Sequence, residues 1–256
     1  MENKIKIKIY EEDVYKGELL LVNAKYSLKD DEKNNLIPAD DRLPNILMQH
    51  SSARALKHIL EEISAGDFIV LTSGYRSEAE QTDIYDNSMR DNGAEFTKKY
   101  VALPNHSEHQ TGLAIDLGLN KADIDFICPD FPYDGICNDF RLKAPDYGFI
   151  QRYTKEKEGI TGIAHEPWHF RYVGYPHSKI ISDYGFALEE YIEFVRKFDS
   201  DCRLVYKDKD SVAEVYFVPL VDKTEIMISE FVEYQISGNN IDGIIVTEKK
   251  YANTQL

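Results

Sequence analysis

The chain has 256 residues, 43% of them hydrophobic and 29% charged, with a formal charge of −15. Such a composition belongs to a folded globular protein with room for one sizeable core plus an annex, not to a disordered chain. The acidity excludes a nucleic-acid partner, because phosphate contacts need a basic face, and it disfavours an anionic membrane or a phosphate-rich wall polymer; we read it as solvated surface.

Residues 1–30 alternate apolar and polar, turn at Lys16-Gly17 and contain the run Leu19-Leu20-Leu21-Val22, which predicts a hairpin or strand pair. Residues 30–42 read as a loop. Leu47, Ala55, Leu56, Ile59, Leu60 and Ile63 fall on a helical stripe between Pro44 and Ser64, with Gly66 as the stop. Phe68-Ile69-Val70-Leu71 is a buried strand. Ser77 followed by Glu80 is a capping box, so a second helix should run over about 78–92. Residues 112–119 are strand-like, 121–137 a loop, and 139–147 a helix disturbed at Pro145. Short strands are expected at 148–150 and 162–164, and a longer one at 168–173. After a boundary near 175–185 come a helix at about 187–198 and strands at 203–206, 212–218, 225–228 and 243–247. The reading is an α+β protein with residues 1–185 as the main domain and 186–256 as a small α+β annex.

No apolar run exceeds about four residues, and a bilayer needs roughly 18. The N-terminal Lys/Ile alternation lacks the apolar core of a signal peptide. The three cysteines, Cys128, Cys137 and Cys202, fit a reducing compartment. A cytoplasmic protein without a membrane anchor is expected, in which Cys128 and Cys137 would pair only when oxidised.

Two short stretches carry chemistry. In Ser107-Glu108-His109-Gln110-Thr111-Gly112-Leu113-Ala114-Ile115-Asp116, His109 and Asp116 are seven residues apart, an offset that points them to opposite faces of a flat strand. Thr111-Gly112 supplies a turn that can re-aim His109. Asp116 lies in an apolar run, where a carboxylate is costly unless it meets a cation or strong donor. In Glu166-Pro167-Trp168-His169, Pro167 argues against a helix and the following alternation argues for a strand. Together His109, Asp116 and His169 could ligate a metal, and Glu166 could serve as the base. A catalytic zinc needs three protein ligands, one open position and a group to take a proton. Taken singly, each has a plainer reading, His109 as a satisfied core histidine and Glu166 as a surface charge or a partner of Arg171. Arg76, at a strand-to-helix exit, could offset an oxyanion or pair with Glu80. Gln81, on the next turn, could bond a substrate carboxylate or face solvent. His106 is a candidate supporting group, while His50, His58, His165 and His177 read as structural.

Ser107-x-His109-x-x-Gly112-x-Ala114-x-Asp116, Glu166-x-x-His169 and Ser73-Gly74-Tyr75-Arg76-Ser77 together resemble the zinc D-alanyl-D-alanine peptidases of the VanX/VanY family, over about residues 17–174. Glu80-Gln81-x-x-Ile84-Tyr85 and Glu-Pro-Trp-His-Phe-Arg-Tyr-Val look most like the VanY and bifunctional VanXY branches. The resemblance implies a small central antiparallel sheet flanked by helices, with zinc in a cleft. It implies His109, Asp116 and His169 as zinc ligands, Glu166 as general base and acid, and Arg76 as oxyanion stabiliser. Ser107 and Gln81 would help hold the substrate's C-terminal carboxylate. The implied substrates are D-Ala-D-Ala and the muramyl pentapeptide precursor, and the implied role is glycopeptide resistance. A carboxypeptidase alone, a phage-type wall endopeptidase and a zinc-stabilised binding protein are the competing readings. The annex carries no recognisable chemistry and is a candidate surface for self-association.

Overall fold

The computed structural model describes residues 4–29, 35–125, 127–208, 211–221 and 224–251. The chain divides into two compact units, one of residues 22–187 and one that joins 1–21 to 188–256. The sequence reading grouped residues 1–21 with the main domain. The difference originates in β1 (Lys4–Ile9), whose Lys/Ile alternation announces a strand with one apolar face but does not name a partner. It pairs antiparallel with residues 224–229, Ile7 facing Ile226, and not with the Leu19–Val22 run. Leu19 and Leu21 are buried without forming a strand; their N–H groups donate to Ser237 Oγ and the Asn239 carbonyl.

In the 22–187 unit, the short pair β2 (Leu36–Pro38) and β3 (Leu47–Gln49) precedes α1 (His50–Glu62). The helix starts later than Pro44 because β3 takes up the intervening residues. Residues 30–34 of the expected loop lie outside the described residues. Ala53, Leu56 and Ile59 form the buried stripe of α1. Next come β4 (Ile69–Ser73) and α2 (Glu78–Tyr100), opened by the expected capping box, in which Ser77 Oγ accepts from Glu80 N and Glu80 Oε2 from Ser77 N. The expected end near Asn92 marks a break inside α2: Gly93 sits at φ 80°, a conformation glycine adopts without penalty, and a second arm continues to Tyr100.

The remaining elements of this unit are β5 (Ala114–Leu119), α3 (Gly135–Lys143), β6 (Phe149–Tyr153), α4 (Glu158–Thr161), β7 (Glu166–Tyr172) and α5 (His177–Tyr184). The disturbance expected at Pro145 is a 3-10 turn, Ala144–Tyr147, after α3, which starts four residues earlier than its apolar pattern suggested. No strand forms at 162–164, and the strand expected from Trp168 begins at Glu166. α5 occupies the stretch read as a boundary.

The sheet of this unit has the order β4-β5-β7-β6, with every pair antiparallel. Alternation gives it two different faces. Leu71, Ile115, Leu117 and Phe170 pack with Leu56 and Ile59 of α1 and with Phe131, Phe140 and Phe149 to make the core. The intervening residues, Asp116 on β5 and His169 and Arg171 on β7, belong to the other face.

The second unit adds α6 (Leu188–Val195), β8 (Leu204–Lys207), β9 (Ser211–Pro219), β10 (Thr224–Ser229), β11 (Glu233–Gly238) and β12 (Gly243–Tyr251). Its four-stranded sheet runs β11-β12-β9-β8, and β1-β10 is a separate pair. Ile9, Tyr216, Ile226, Ile228, Ile244 and Val246 form its buried cluster. β11 was not anticipated, because Glu-Tyr-Gln-Ile-Ser-Gly has one aliphatic residue and no clear period. The α+β class holds in both units. Among the described residues no helix is long and apolar enough to cross a membrane.

Candidate active site

Strand register brings the first two groups together. Asp116 on β5 lies directly opposite His169 on β7 and opposite Ser73 on β4. Directly opposed residues on antiparallel strands hold their Cβ atoms about 5 Å apart, so side chains on a shared face must meet. His169 Nδ1 is 2.8 Å from Asp116 Oδ1. His109 arrives from a 3-10 turn, Glu108–Thr111, closed by Gly112 at φ 69°. A side chain at Gly112 would also meet Leu36, its Cβ falling 2.7 Å from Leu36 Cδ2. This turn is the re-aiming device that the seven-residue offset required. It places His109 Nε2 3.1 Å from Asp116 Oδ2. One ligand-type atom from each of His109, Asp116 and His169 lies within 4.8 Å of the others, and all three residues are buried.

The outer nitrogens are also fixed. His109 Nδ1 lies 2.7 Å from the Gly74 carbonyl, which can only accept, so the proton sits on Nδ1. Burial and the nearby Arg76 charge push His109 below the usual histidine range, towards the neutral form. Its Nε2 lone pair therefore faces a carboxylate oxygen, an arrangement that calls for a cation between them. His169 Nε2 lies 3.3 Å from Glu108 Oε2. Burial opposes its charge, but the bonds to Asp116 and Glu108 prevail and raise its pKa to about 9. Metal-binding histidines usually present one nitrogen to the ion and donate the other N–H to a carbonyl or carboxylate. Both imidazoles here have that arrangement, so the donor set fits a divalent N/O-coordinated metal such as zinc.

Glu166 opens β7 and is 8% exposed. Burial raises its carboxyl pKa to about 8, with Asp116 and Glu108 adding and His169 and Arg76 opposing. It has no hydrogen-bonding partner among the described residues. Arg171 pairs instead with Glu108, and Glu80 closes the capping box instead of pairing with Arg76. Arg76 leaves β4 just after the irregular register between Leu71 and Ser73. Its Nε donates to Ser73 Oγ at 2.9 Å and its Nη2 to Asp116 Oδ2 at 3.1 Å. Nη1 has no protein acceptor among the described residues.

Arg76, Gln81, Ser107, His109, Asp116, Glu166 and His169 all line one cavity of about 290 Å³. Ser107 is 4% exposed, and its hydroxyl has no protein partner among the described residues. Gln81 Nε2 donates to the Ala102 carbonyl at 2.8 Å, while its buried Oε1 has no partner. Phe96 and Tyr100 from the second arm of α2, with Trp168, supply apolar wall.

Four participants escaped the sequence reading. Glu108 is 2% exposed, and Arg152 Nε and Arg171 Nη1 donate to its Oε1 at 2.9 and 3.1 Å. Both arginines sit inside strands, and Arg171 falls two residues after His169, hence on the same face. That period was the available signal. Tyr153 stacks on the His169 ring with centroids 4.9 Å apart. His106 is not at the site; its Nδ1 meets the Asn23 carbonyl at 2.6 Å.

Residues 45–175 match the VanY family, described as D-alanyl-D-alanine carboxypeptidase. The chain is 41% identical over 179 residues to the bifunctional D-Ala-D-Ala dipeptidase and D-Ala-D-Ala carboxypeptidase VanXYC of Enterococcus gallinarum, covering 69% of this chain and 94% of that one. It is similar throughout to the vancomycin resistance D,D-dipeptidase VanXYg, solved with a D-Ala-D-Ala phosphinate analog, at 60% identity and TM-score 0.94 over 98% of this chain and 100% of that one. A more distant likeness is to the D,D-pentapeptidase VanY of a VanB-type resistance cassette, solved with Zn(II), at 27% identity and TM-score 0.56 over 68% of this chain and 98% of that one. The chain belongs to the VanY family of D-alanyl-D-alanine carboxypeptidases.

Proposed function

We propose that this chain is a zinc D,D-peptidase that removes the terminal D-Ala from D-Ala-D-Ala and from the muramyl pentapeptide precursor, and so contributes to glycopeptide resistance. The observation that carries the reading is one cavity in which two imidazoles, each with its outer nitrogen held by an acceptor, converge on Asp116 beside Glu166 and Arg76. His109, Asp116 and His169 would hold the metal. Bound zinc supplies a Lewis acid for the scissile carbonyl and lowers the pKa of water to about 7.

The chain's own groups supply the rest. The Glu166 carboxylate takes a proton from the attacking water and passes it to the leaving amine. The Arg76 guanidinium, fixed by Ser73 and Asp116, offsets the negative charge that develops on the carbonyl oxygen. The Ser107 hydroxyl and the Gln81 amide, both lining the cavity, would bond the substrate's C-terminal carboxylate. A cytoplasmic location suits both substrates and the three free thiols, Cys128, Cys137 and Cys202.

The test is D-Ala release by zinc-loaded protein from D-Ala-D-Ala and from UDP-MurNAc-pentapeptide. Release from both is expected. Release from the pentapeptide alone would narrow the activity to a carboxypeptidase. Release from neither, with zinc bound, would overturn the reading in favour of an endopeptidase or a binding protein.

A further inference from the structure

The fully buried carboxylate of Glu108 has no role in the chemistry above, yet it joins three elements at the site. Its Oε1 accepts from Arg152 Nε on β6 at 2.9 Å and from Arg171 Nη1 on β7 at 3.1 Å. Its Oε2 faces His169 Nε2 at 3.3 Å. Thr111 Oγ1 donates to the Glu108 carbonyl at 2.6 Å and braces the same 3-10 turn that carries His109. Removing a charge from water is expensive, and a Glu with two arginines is a costly way to fill a core that an apolar side chain could fill. The cluster therefore invites an explanation beyond packing.

We infer that Glu108 is a positioning residue: it fixes the His169 ring through Nε2–H and thereby aims Nδ1 at the metal position, while Arg152 and Arg171 keep its carboxylate charged and in place. This rests on the reading of His109, Asp116 and His169 as the metal-binding set. Three consequences follow from the geometry. The two guanidiniums occupy Oε1 and so leave Oε2 to the imidazole. A charged acceptor makes the opposite nitrogen of the ring a better donor to a cation. And because Glu108 precedes His109, a single turn of backbone sets the direction of one imidazole directly and of the other through a side chain.

The experiment uses the full chain, with Glu108→Gln as the main variant. Glutamine keeps the volume and an acceptor but loses the charge. Zinc affinity is read by chelator competition, and the His169 Nε2–H is followed in 15N-imidazole spectra of the zinc-loaded protein. The expected result is a dissociation constant raised about 10- to 100-fold, as for other groups that support metal-binding histidines. The wild-type Nε2–H proton should exchange slowly and resonate downfield, and it should move upfield in the variant. Wild-type zinc affinity in a folded Glu108→Gln protein would overturn the inference. So would fast exchange of the wild-type Nε2–H, a measurement that needs no variant and stands if Glu108→Gln fails to fold. His169→Ala separates the two levels: a full loss of zinc affinity supports the metal-binding set, whereas wild-type affinity would overturn that set and the inference with it.

Discussion

The two units bury charge in different ways. In the unit that joins residues 1–21 to 188–256, Glu248 is 3% exposed and meets its counter-charge directly, with Arg203 Nη1 at 3.0 Å and the Tyr216 hydroxyl at 3.2 Å. Arg203 also donates to Glu214 at 2.9 Å. Each carboxylate there is answered by a guanidinium, and nothing in the cluster is left to act. In the 22–187 unit the arrangement is uneven. Glu108 has two arginines, Asp116 shares two imidazoles and one arginine, and Glu166 has no hydrogen-bonded partner among the described residues. A buried carboxylate answered only by guanidiniums and a hydroxyl serves the fold, whereas one aimed at an imidazole or left without a partner beside a cavity serves the site. The contrast can be broken or sharpened at four points.

The largest effect should follow metal removal. Chelation is expected to reduce D-Ala release to background, and added zinc to restore it. Zinc at a thousand times its dissociation constant would also stabilise the folded protein by about 4 kcal/mol, so chelation should lower the unfolding midpoint. Calorimetry with and without chelator, beside the activity assay, measures both. Full activity in metal-free protein would remove the cation from the account of the His109–Asp116 contact.

Next is Glu166→Gln, which removes the base and leaves the volume. kcat should fall by about 10²- to 10⁴-fold, the usual worth of a positioned proton acceptor. Zinc affinity should hold, since Glu166 is outside the His109–Asp116–His169 set. Equal losses of zinc and activity would recast Glu166 as part of the metal-binding group.

What the sequence made legible, and what it hid, divides along the same line. Asp116 stood out because a carboxylate in an apolar strand conflicts with its surroundings, and His169 because it falls within the Trp168–Val173 alternation that follows Pro167. The turn at Thr111-Gly112 was readable from the odd offset between His109 and Asp116. Glu108, Arg152 and Arg171 were not, since a charged residue in a chain this acidic looks like surface until its partners are known, and those partners come from two other strands. The same limit applied to β1: alternation identified it as a strand, but its partner lies more than 200 residues away. Local periodicity reports which face a residue occupies; it carries no record of what the opposite strand brings.

Arg76→Lys should have a smaller effect than loss of the base. Lysine keeps the charge but not the fork that holds Ser73 and Asp116 together while leaving Nη1 available. A fall in kcat of about 10²- to 10³-fold is expected, with KM changed less, because the interaction is made mainly to charge that appears during reaction. Steady-state kinetics on D-Ala-D-Ala separates the two constants. A rise in KM alone would assign Arg76 to substrate binding and not to the oxyanion.

The smallest expected change tests the other side of the comparison. Glu248→Ala leaves Arg203 with Glu214 and leaves the Tyr216 hydroxyl without its acceptor. The cost should be on the order of 1–3 kcal/mol, the usual penalty for removing one partner from a buried polar pair. In a chain of this length that is a fall of about 2–4 °C in Tm per kcal/mol. kcat and zinc affinity should not move, because every residue proposed for metal binding and catalysis belongs to the 22–187 unit. Thermal unfolding and D-Ala release on the same preparation give both numbers. A drop in activity without a drop in Tm would mean that the charge of Glu248 is felt at the site, and that the division between structural and functional charge does not follow the division of the chain.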